Sequence, residues 1–239
     1  MLTSFVKGLA KRCGLYVGRL SVKYPERSLE GLLRKQGINL VLDVGANTGQ
    51  FASELRGLGY RGRIISFEPL GSAYSVLSAK AASDPLWTIA ERGAVGAENS
   101  SIEIHESGNS YSSSVLPILS SHVEAAPDSA YVSTEMVPVR RLDDLWTPAA
   151  DDRVLLKIDV QGYEAYVLSG APRTLANCSA LITEMSVVPL YEGQTLAKEL
   201  WDRLVEEGFE VWSLEPMFRE PGSGKMLQMD GFFYRMNKA

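Results

Sequence analysis

The sequence predicts an α/β fold built on a doubly wound, mostly parallel, Rossmann-like sheet, and three observations carry that expectation. Short apolar runs at 38–44, 63–67 and 154–158 alternate with helix-patterned segments, as strands buried on both faces do. Two of these runs end alike, in an acid and then a glycine: Asp43-Val44-Gly45 and Asp159-Val160-Gln161-Gly162. Two last β runs, 209–214 and 231–236, flank a Pro- and Gly-rich loop at 215–229. That hairpin-like return suggests an antiparallel edge on the sheet.

With 239 residues, 45% hydrophobic content and no internal repeat or linker, the chain reads as one domain at 38–239 preceded by a helical extension at 1–37. The net charge of -5 offers no basic footprint for nucleic acid. Cys13 and Cys178 stand far apart with no C-x-x-C, so neither a disulfide framework nor a zinc cluster is expected and a reducing cytoplasm is the natural setting. No run approaches the roughly 18 apolar residues of a membrane span. Lys7, Lys11 and Arg12 break the apolar core a cleavable signal would need.

Residues 1–20 place Leu2, Phe5, Leu9, Cys13, Tyr16 and Leu20 at helical spacing, with the basic residues largely off that face. Such a helix either packs on the domain and closes over its site, or lies on a membrane surface and docks a lipid-linked substrate. A second helix over 26–36 buries Leu29, Leu32 and Leu33 and stops at Gly37. After the first strand, Gly45-Ala46-Asn47-Thr48-Gly49 is a tight turn into a helix near Gln50. Its glycines permit a sharp turn and the close approach of a ligand. A dinucleotide site uses G-x-G-x-x-G to seat a pyrophosphate at a helix N-terminus. Here the spacing is G-x-x-x-G, and the carboxylate of Asp43 would repel a pyrophosphate but suit an ammonium. S-adenosylmethionine has an amino acid moiety and no phosphate, so the turn favours a methyl donor over a nicotinamide.

The second strand ends at Glu68-Pro69, 25 positions beyond Asp43 (68 minus 43). There an α/β nucleoside site places its acceptor for a ribose hydroxyl pair, the alternative being a solvated strand end. A helix at 72–82 and a strand at 87–95 continue the alternation, and Gly93, Ala94 and Val95 either leave room for an adenine ring or are small strand-end residues without a function. Ile102 and Ile104 alternate with Glu103 and His105, as in a half-exposed hairpin strand, and 108–114 (GNSYSSS) is a polar loop without a packing stripe. Residues 123–134 read as a mobile connection. His105 and His122 are the two imidazoles of the chain, each either a base near neutral pH or a structural residue. A strand at 136–139 leads to a helical turn at 142–145. The strand 154–158, interrupted by Lys157, should project Asp159 into the crevice that receives Asp43. Helix 163–169 ends at Gly170. Strand 179–185 carries Glu184, either a half-exposed acid or an active one, and 195–207 is an amphipathic helix closed by Gly208.

VLDVGANTGQF, IISFEP, VPVRRLDDL, LLKIDVQGYEAYVLSGA and ALITEMS, in that order across 38–188, resemble the FkbM family of S-adenosylmethionine-dependent methyltransferases. The resemblance implies the class I methyltransferase fold, with seven strands of which the last is antiparallel, and methyl transfer to an oxygen of a natural product or sugar. It implies that Asp43, Gly45, Asn47 and Glu68 hold S-adenosyl-L-methionine. The expected cofactor set also takes in Ala46, Thr48, Gly49, Pro69, Ala94 and Asp159. Such proteins commonly read K-I-D-V-E-G-x-E where this chain has Gln161, and an amide cannot act as a base; Asp159 and Glu164 remain. Asp159 is the expected base, with Glu184 and His122 behind it. A divalent metal could instead lower the hydroxyl pKa, but no metal-ligand set is predicted. The expected acceptor is a small molecule or glycolipid with a sugar hydroxyl, met by a cytoplasmic protein with peripheral membrane contact through 1–20. The chain has neither an N-P-P-Y-like tetrad nor a Pro-Cys pair for attack on a base. A cofactor-binding protein without transfer activity, or an NAD-dependent dehydrogenase, is the alternative.

Overall fold

Alternating strands and helices need one sheet to share, and the computed structural model, which describes residues 28–236, supplies it. The helix expected over 1–20 lies outside the described residues. In chain order the strands are β1 (Leu40–Val44), β2 (Arg63–Phe67), β3 (Trp87–Ile89), β4 (Ala94–Val95), β5 (Ser100–Ser107), β6 (Tyr131–Arg140), β7 (Val154–Ile158), β8 (Cys178–Ser186), β9 (Glu210–Arg219) and β10 (Met226–Tyr234). Seven of them form one sheet in the order β3-β2-β1-β7-β8-β10-β9. β1 runs parallel to β2 and β7, and β7 parallel to β8, whereas β10 is antiparallel to both β8 and β9. The chain reverses order outward from β1, which opens a crevice at the carboxyl ends of β1 and β7.

The sheet is apolar on both faces because its strands alternate. Leu40, Leu42, Val44, Leu156 and Ile158 point into one core cluster; Val41, Leu155, Ile182 and Phe232 point into the other. The first face is covered by α6 (Glu164–Ser169), α7 (Pro172–Asn177) and α8 (Ala197–Glu206), after the short α4 (Ser120–Ala125) and α5 (Leu142–Leu145). The second is covered by α1 (Ser28–Gln36), α2 (Gln50–Gly57) and α3 (Gly71–Ala81). α1 buries Leu29, Leu32 and Leu33 against this second face, so the described part of the N-terminal extension is continuous with the domain core. Each fully buried leucine contributes about 1.5–3 kcal/mol relative to leaving it in water. Among the described residues no helix is long and apolar enough to cross a membrane.

The structure corrects four expectations. The strand expected at 87–95 is two: β3 extends the main sheet, and Ala94–Val95 pairs with β6 in a separate three-stranded sheet, β4-β6-β5. Gly93 lies so close to β6 that a Cβ there would stand 2.9 Å from the Pro138 carbonyl oxygen. The antiparallel strand is not the edge: β10, with buried Leu227, Phe232 and Phe233, is inserted inside, and β9, with exposed Val211, Leu214 and Met217, takes the edge. The loop expected at 215–229 shrinks to a turn at 220–225, because β9 and β10 pair along most of it. The connection expected at 123–134 holds the end of α4, a 3₁₀ turn at Pro127–Ser129 and the start of β6.

Candidate active site

The turn after β1 is shaped by its neighbours. Gly45 has φ +78°, and a Cβ on it would fall 1.8 Å from the Asp159 carbonyl oxygen at the end of β7. Gly49 has φ +83°, and a Cβ would press on the Trp87 ring at 2.7 Å. The packing of the protein on itself therefore demands glycine at both positions. Between them Asn47 takes the left-handed conformation at φ +48°. Its Oδ1 accepts the Thr48 N–H (2.7 Å), while its Nδ2 donates to the Ser110 carbonyl oxygen (3.2 Å) and Oγ (3.3 Å). The first turn is thus tied to the 108–114 loop. Glu68, buried at the end of β2, accepts the backbone N–H groups of Asn47 (2.7 Å) and Leu70 (2.9 Å). Burial pushes its carboxyl up to about 7, against those two hydrogen bonds.

A crevice of about 350 Å³ opens above this turn. Of the expected cofactor residues, Gly45, Ala46, Asn47, Glu68, Pro69, Ala94 and Asp159 line it, and Asp43, Thr48 and Gly49 do not. Asp43 is fully buried on β1, facing the covered side of the sheet, where Ser66 Oγ donates to it at 3.2 Å and Lys157 Nζ lies 3.4 Å away. Burial raises its pKa, and Lys157 pulls it back. Asp43 therefore faces a cation of the protein itself. The Lys157 ammonium also lies 3.4 Å from Asp159 and donates to the Gly45 carbonyl oxygen at 3.2 Å. Burial works against its charge, but Asp159 and Asp43 outweigh burial and raise its pKa.

Beside the crevice the sheet carries a row of acids. β8 and β10 bring Glu184 opposite Asp230, β9 brings Glu215 opposite Asp230, and the β7–β8 register carries on from Ile158 opposite Thr183 to Asp159 beside Glu184. A cavity of about 520 Å³ lies over this row and shares Phe51, Glu54, Lys157, Asp159, Met217 and Asp230 with the crevice. Gln161, at φ +56°, bridges the row: its Nε2 donates to Asp159 Oδ1 and to Glu184 Oε2, both at 2.8 Å, and its Oε1 accepts from the Tyr191 hydroxyl at 2.8 Å. Gln228 Nε2 adds a 2.7 Å hydrogen bond to Glu184. Burial and then Asp159, Glu164 and Asp230 hold the Glu184 carboxyl well above the usual carboxylate range. Glu164 accepts the N–H groups of Val160 and Gly162, each at 3.1 Å, and clamps the turn that presents Asp159.

His122 is not among the residues lining the crevice. It is buried edge-on to Tyr191, with ring centroids 5.1 Å apart, and its Nδ1 has no hydrogen-bond partner. Burial lowers its pKa to about 4, so the ring is neutral at physiological pH and the geometry gives it no path to a substrate proton. Glu184 lines only the adjoining cavity. The other imidazole, His105, stacks on Tyr131. The polar 108–114 loop proves to be packed by hydrogen bonds: Ser107 N to Ser113 Oγ (3.0 Å), Asn109 Nδ2 to Ser112 Oγ (3.1 Å) and Ser114 Oγ to the Gln161 carbonyl oxygen (2.6 Å). Ser110, Tyr111 and Ser113 thereby line the crevice. Sequence reasoning missed Lys157, Gln161 and Asp230 as parts of one site. A charged residue inside an apolar strand was the available signal for Lys157 and Asp230; nothing local announced the two-carboxylate bridge of Gln161. Among the described residues no group of three or more His, Cys, Asp or Glu side chains is arranged to hold a metal ion.

The chain is similar to several known proteins. The 2-O-methyltransferase NoeI of Sinorhizobium fredii (strain NBRC 101917 / NGR234) is 27% identical over 185 residues, 74% of this chain and 75% of that protein. The crystal structure of the methyltransferase FkbM from Methylobacillus flagellatus KT superposes with a TM-score of 0.53 at 16% identity, over 82% of this chain. This chain spans 44% of that one, so the likeness concerns the fold. The model of the methyltransferase FkbM domain matches residues 43–211, from the acid of the first turn into β9. The chain belongs to the FkbM methyltransferase family.

Proposed function

We propose that the protein transfers a methyl group from S-adenosyl-L-methionine to a hydroxyl of a sugar, carried by a glycolipid or a glycosylated natural product. The observation that carries this reading is the crevice: a buried carboxylate, Glu68, at the end of β2 and a partly exposed one, Asp159, at the end of β7, with a wall of Leu70, Ala94, Val95, Ile104 and Val115 beyond. Glu68 keeps lone pairs for a ribose hydroxyl pair, Asp159 offers negative charge to an ammonium, and the apolar wall suits an adenine. A dinucleotide fits less well. Glu54, Glu68, Asp159 and Asp230 all line the crevice, and its cation, Lys157, already faces Asp43 and Asp159. A diphosphate entering there would meet carboxylates.

The bound sulfonium supplies an intrinsically reactive methyl group. The protein's part is then to hold, align and deprotonate. Asn47 fixes the turn and the 108–114 loop together, Lys157 and Gln161 hold the two oxygens of Asp159, and the serine loop and the adjoining cavity offer hydrogen-bond partners to a polyhydroxyl acceptor. The O-methyl assignment draws its support from NoeI, a 2-O-methyltransferase, and the lipid-linked acceptor from the amphipathic pattern of residues 1–20. Incubating the protein with methyl-labelled S-adenosylmethionine and a panel of methyl glycosides and glycolipids, followed by mass spectrometry, tests this. Methyl ethers on sugar oxygens are expected; methylation confined to nitrogen, carbon or carboxylate acceptors would refute the hydroxyl reading.

A further inference from the structure

We infer that Asp230, on the inserted antiparallel strand β10, is the catalytic residue that takes the proton from the acceptor hydroxyl, in place of the more obvious Asp159. This rests on the proposed O-methyl transfer. The acids of the site differ in which lone pairs are free. Asp159 Oδ1 accepts from Gln161 at 2.8 Å and Oδ2 faces Lys157 at 3.4 Å, and the lone pairs it has left are the ones proposed to face the ammonium of the methyl donor. Glu184 Oε2 takes two amide N–H groups and the residue lines only the outer cavity. Asp230 lines both the crevice and the cavity, where donor and acceptor would meet, and its side chain forms no hydrogen bond or ion pair with a described residue. A general base needs such an open lone pair on the path of the proton.

Its surroundings also favour proton uptake. Glu184 stands opposite it on β8, Glu215 opposite it on β9, Asp159 and Lys157 face it from β7, and Glu54 faces it from α2. Like charges directly opposite on a sheet repel, and a bound proton relieves that repulsion. Burial first, then Asp159, Glu215 and Glu54, push the Asp230 carboxyl up to about 7, with Lys157 opposing. In the step, the acceptor O–H bond breaks and its proton passes to an Asp230 oxygen. The oxygen's electron pair forms the O–CH₃ bond, and the C–S pair leaves on sulfur as the neutral sulfide S-adenosylhomocysteine.

The experiment pairs Asp230→Asn with Glu215→Gln and reads three quantities. Calorimetry with S-adenosylhomocysteine should give an affinity for Asp230→Asn within about threefold of wild type, while turnover on a methyl glycoside falls at least ~100-fold. Infrared difference titration of the ligand-free protein should show carboxylic acid absorbance that disappears near neutral pH in wild type; Glu68 contributes part of it, and the part lost in Asp230→Asn is the part that titrates at lower pH in Glu215→Gln. Unchanged turnover in Asp230→Asn, a loss of S-adenosylhomocysteine affinity as large as the loss of turnover, or a neutral-range band undiminished in Asp230→Asn would each overturn the assignment. If Asp230→Asn does not fold, the Glu215→Gln shift, in the band and in the acidic limb of the wild-type rate profile, decides alone. If no glycoside is methylated, the sugar reading fails, while the titration still decides whether Asp230 holds a proton.

Discussion

Replacing Lys157 with methionine removes the cation that faces a fully buried acid. Lys157 is 11% exposed, Asp43 0% and Asp159 39%. The Asp159 side of the arrangement is screened by water and contributes little. The Asp43 side is not screened, and deleting the partner of a buried charge costs about 3–5 kcal/mol. At roughly 2–4 °C per kcal/mol for a chain of this size, the melting temperature should fall by about 6–20 °C at pH 7.5. Asp43 can escape by taking a proton. Its folded pKa already lies above its unfolded value because of burial, and loss of Lys157 raises it further. Between those two values the folded state holds a proton that the unfolded state lacks, so stability falls as pH rises, by up to about 1.4 kcal/mol per pH unit. Lys157→Met should therefore recover much of its deficit between pH 7.5 and 5. Circular dichroism melts of both proteins at several pH values read this directly. A variant as stable as wild type at pH 7.5, or a deficit that does not shrink on acidification, would show that the Lys157–Asp43 pair does not hold the site together.

Three further substitutions test other parts. Gly45→Ala puts a Cβ 1.8 Å from the Asp159 carbonyl oxygen at a positive φ; we expect a loss of more than about 3 kcal/mol in urea unfolding, and a stable Gly45→Ala protein would contradict the packing argument. Glu68→Gln turns one of the two acceptors toward a backbone N–H as a donor, which should weaken S-adenosylhomocysteine about 10-fold or more by calorimetry. Because the Glu68 carboxyl sits near 7 and hydroxyl donors favour its ionised form, binding to wild type should release protons at pH 6.5, seen as buffer-dependent heat that Glu68→Gln abolishes. His122→Phe removes a buried ring with an unpaired Nδ1. It should keep turnover within about twofold, and because His122 stays neutral down to about 4 while the unfolded chain protonates near 6.5, it should be less destabilised than wild type between pH 6.5 and 4. A large loss of turnover would restore His122 to the chemistry.

The parts of the fold visible in the sequence were those set by local periodicity. Apolar runs at Leu40–Val44 and Val154–Ile158, and the turns that follow them, mark the centre of a parallel sheet without any knowledge of neighbours. What stayed hidden depends on contacts between distant segments. Nothing in Gly93 says that β6 passes beside it, and nothing near Phe232 says that β10 slips inside β9. The site divides in the same way. Glu68 and Asp159 were legible as acids at strand ends, and both reach the crevice. Asp43 was equally legible, but only the register with Lys157 on β7 reveals that it faces a buried lysine. The serines of 108–114 have no packing stripe because their partners are hydroxyls, amides and the turn at Asn47. Gln161 joins Asp159 to Glu184. A carboxylate there would have set three negative charges together.

Titrating the full chain with S-adenosylhomocysteine and, separately, with NAD in a calorimeter decides whether the crevice at the ends of β1, β2 and β7 binds S-adenosylmethionine. Saturable binding of S-adenosylhomocysteine at one site per chain, weakened by Glu68→Gln, with no heat from NAD, is the predicted result. Saturable NAD binding with no response to S-adenosylhomocysteine would contradict it.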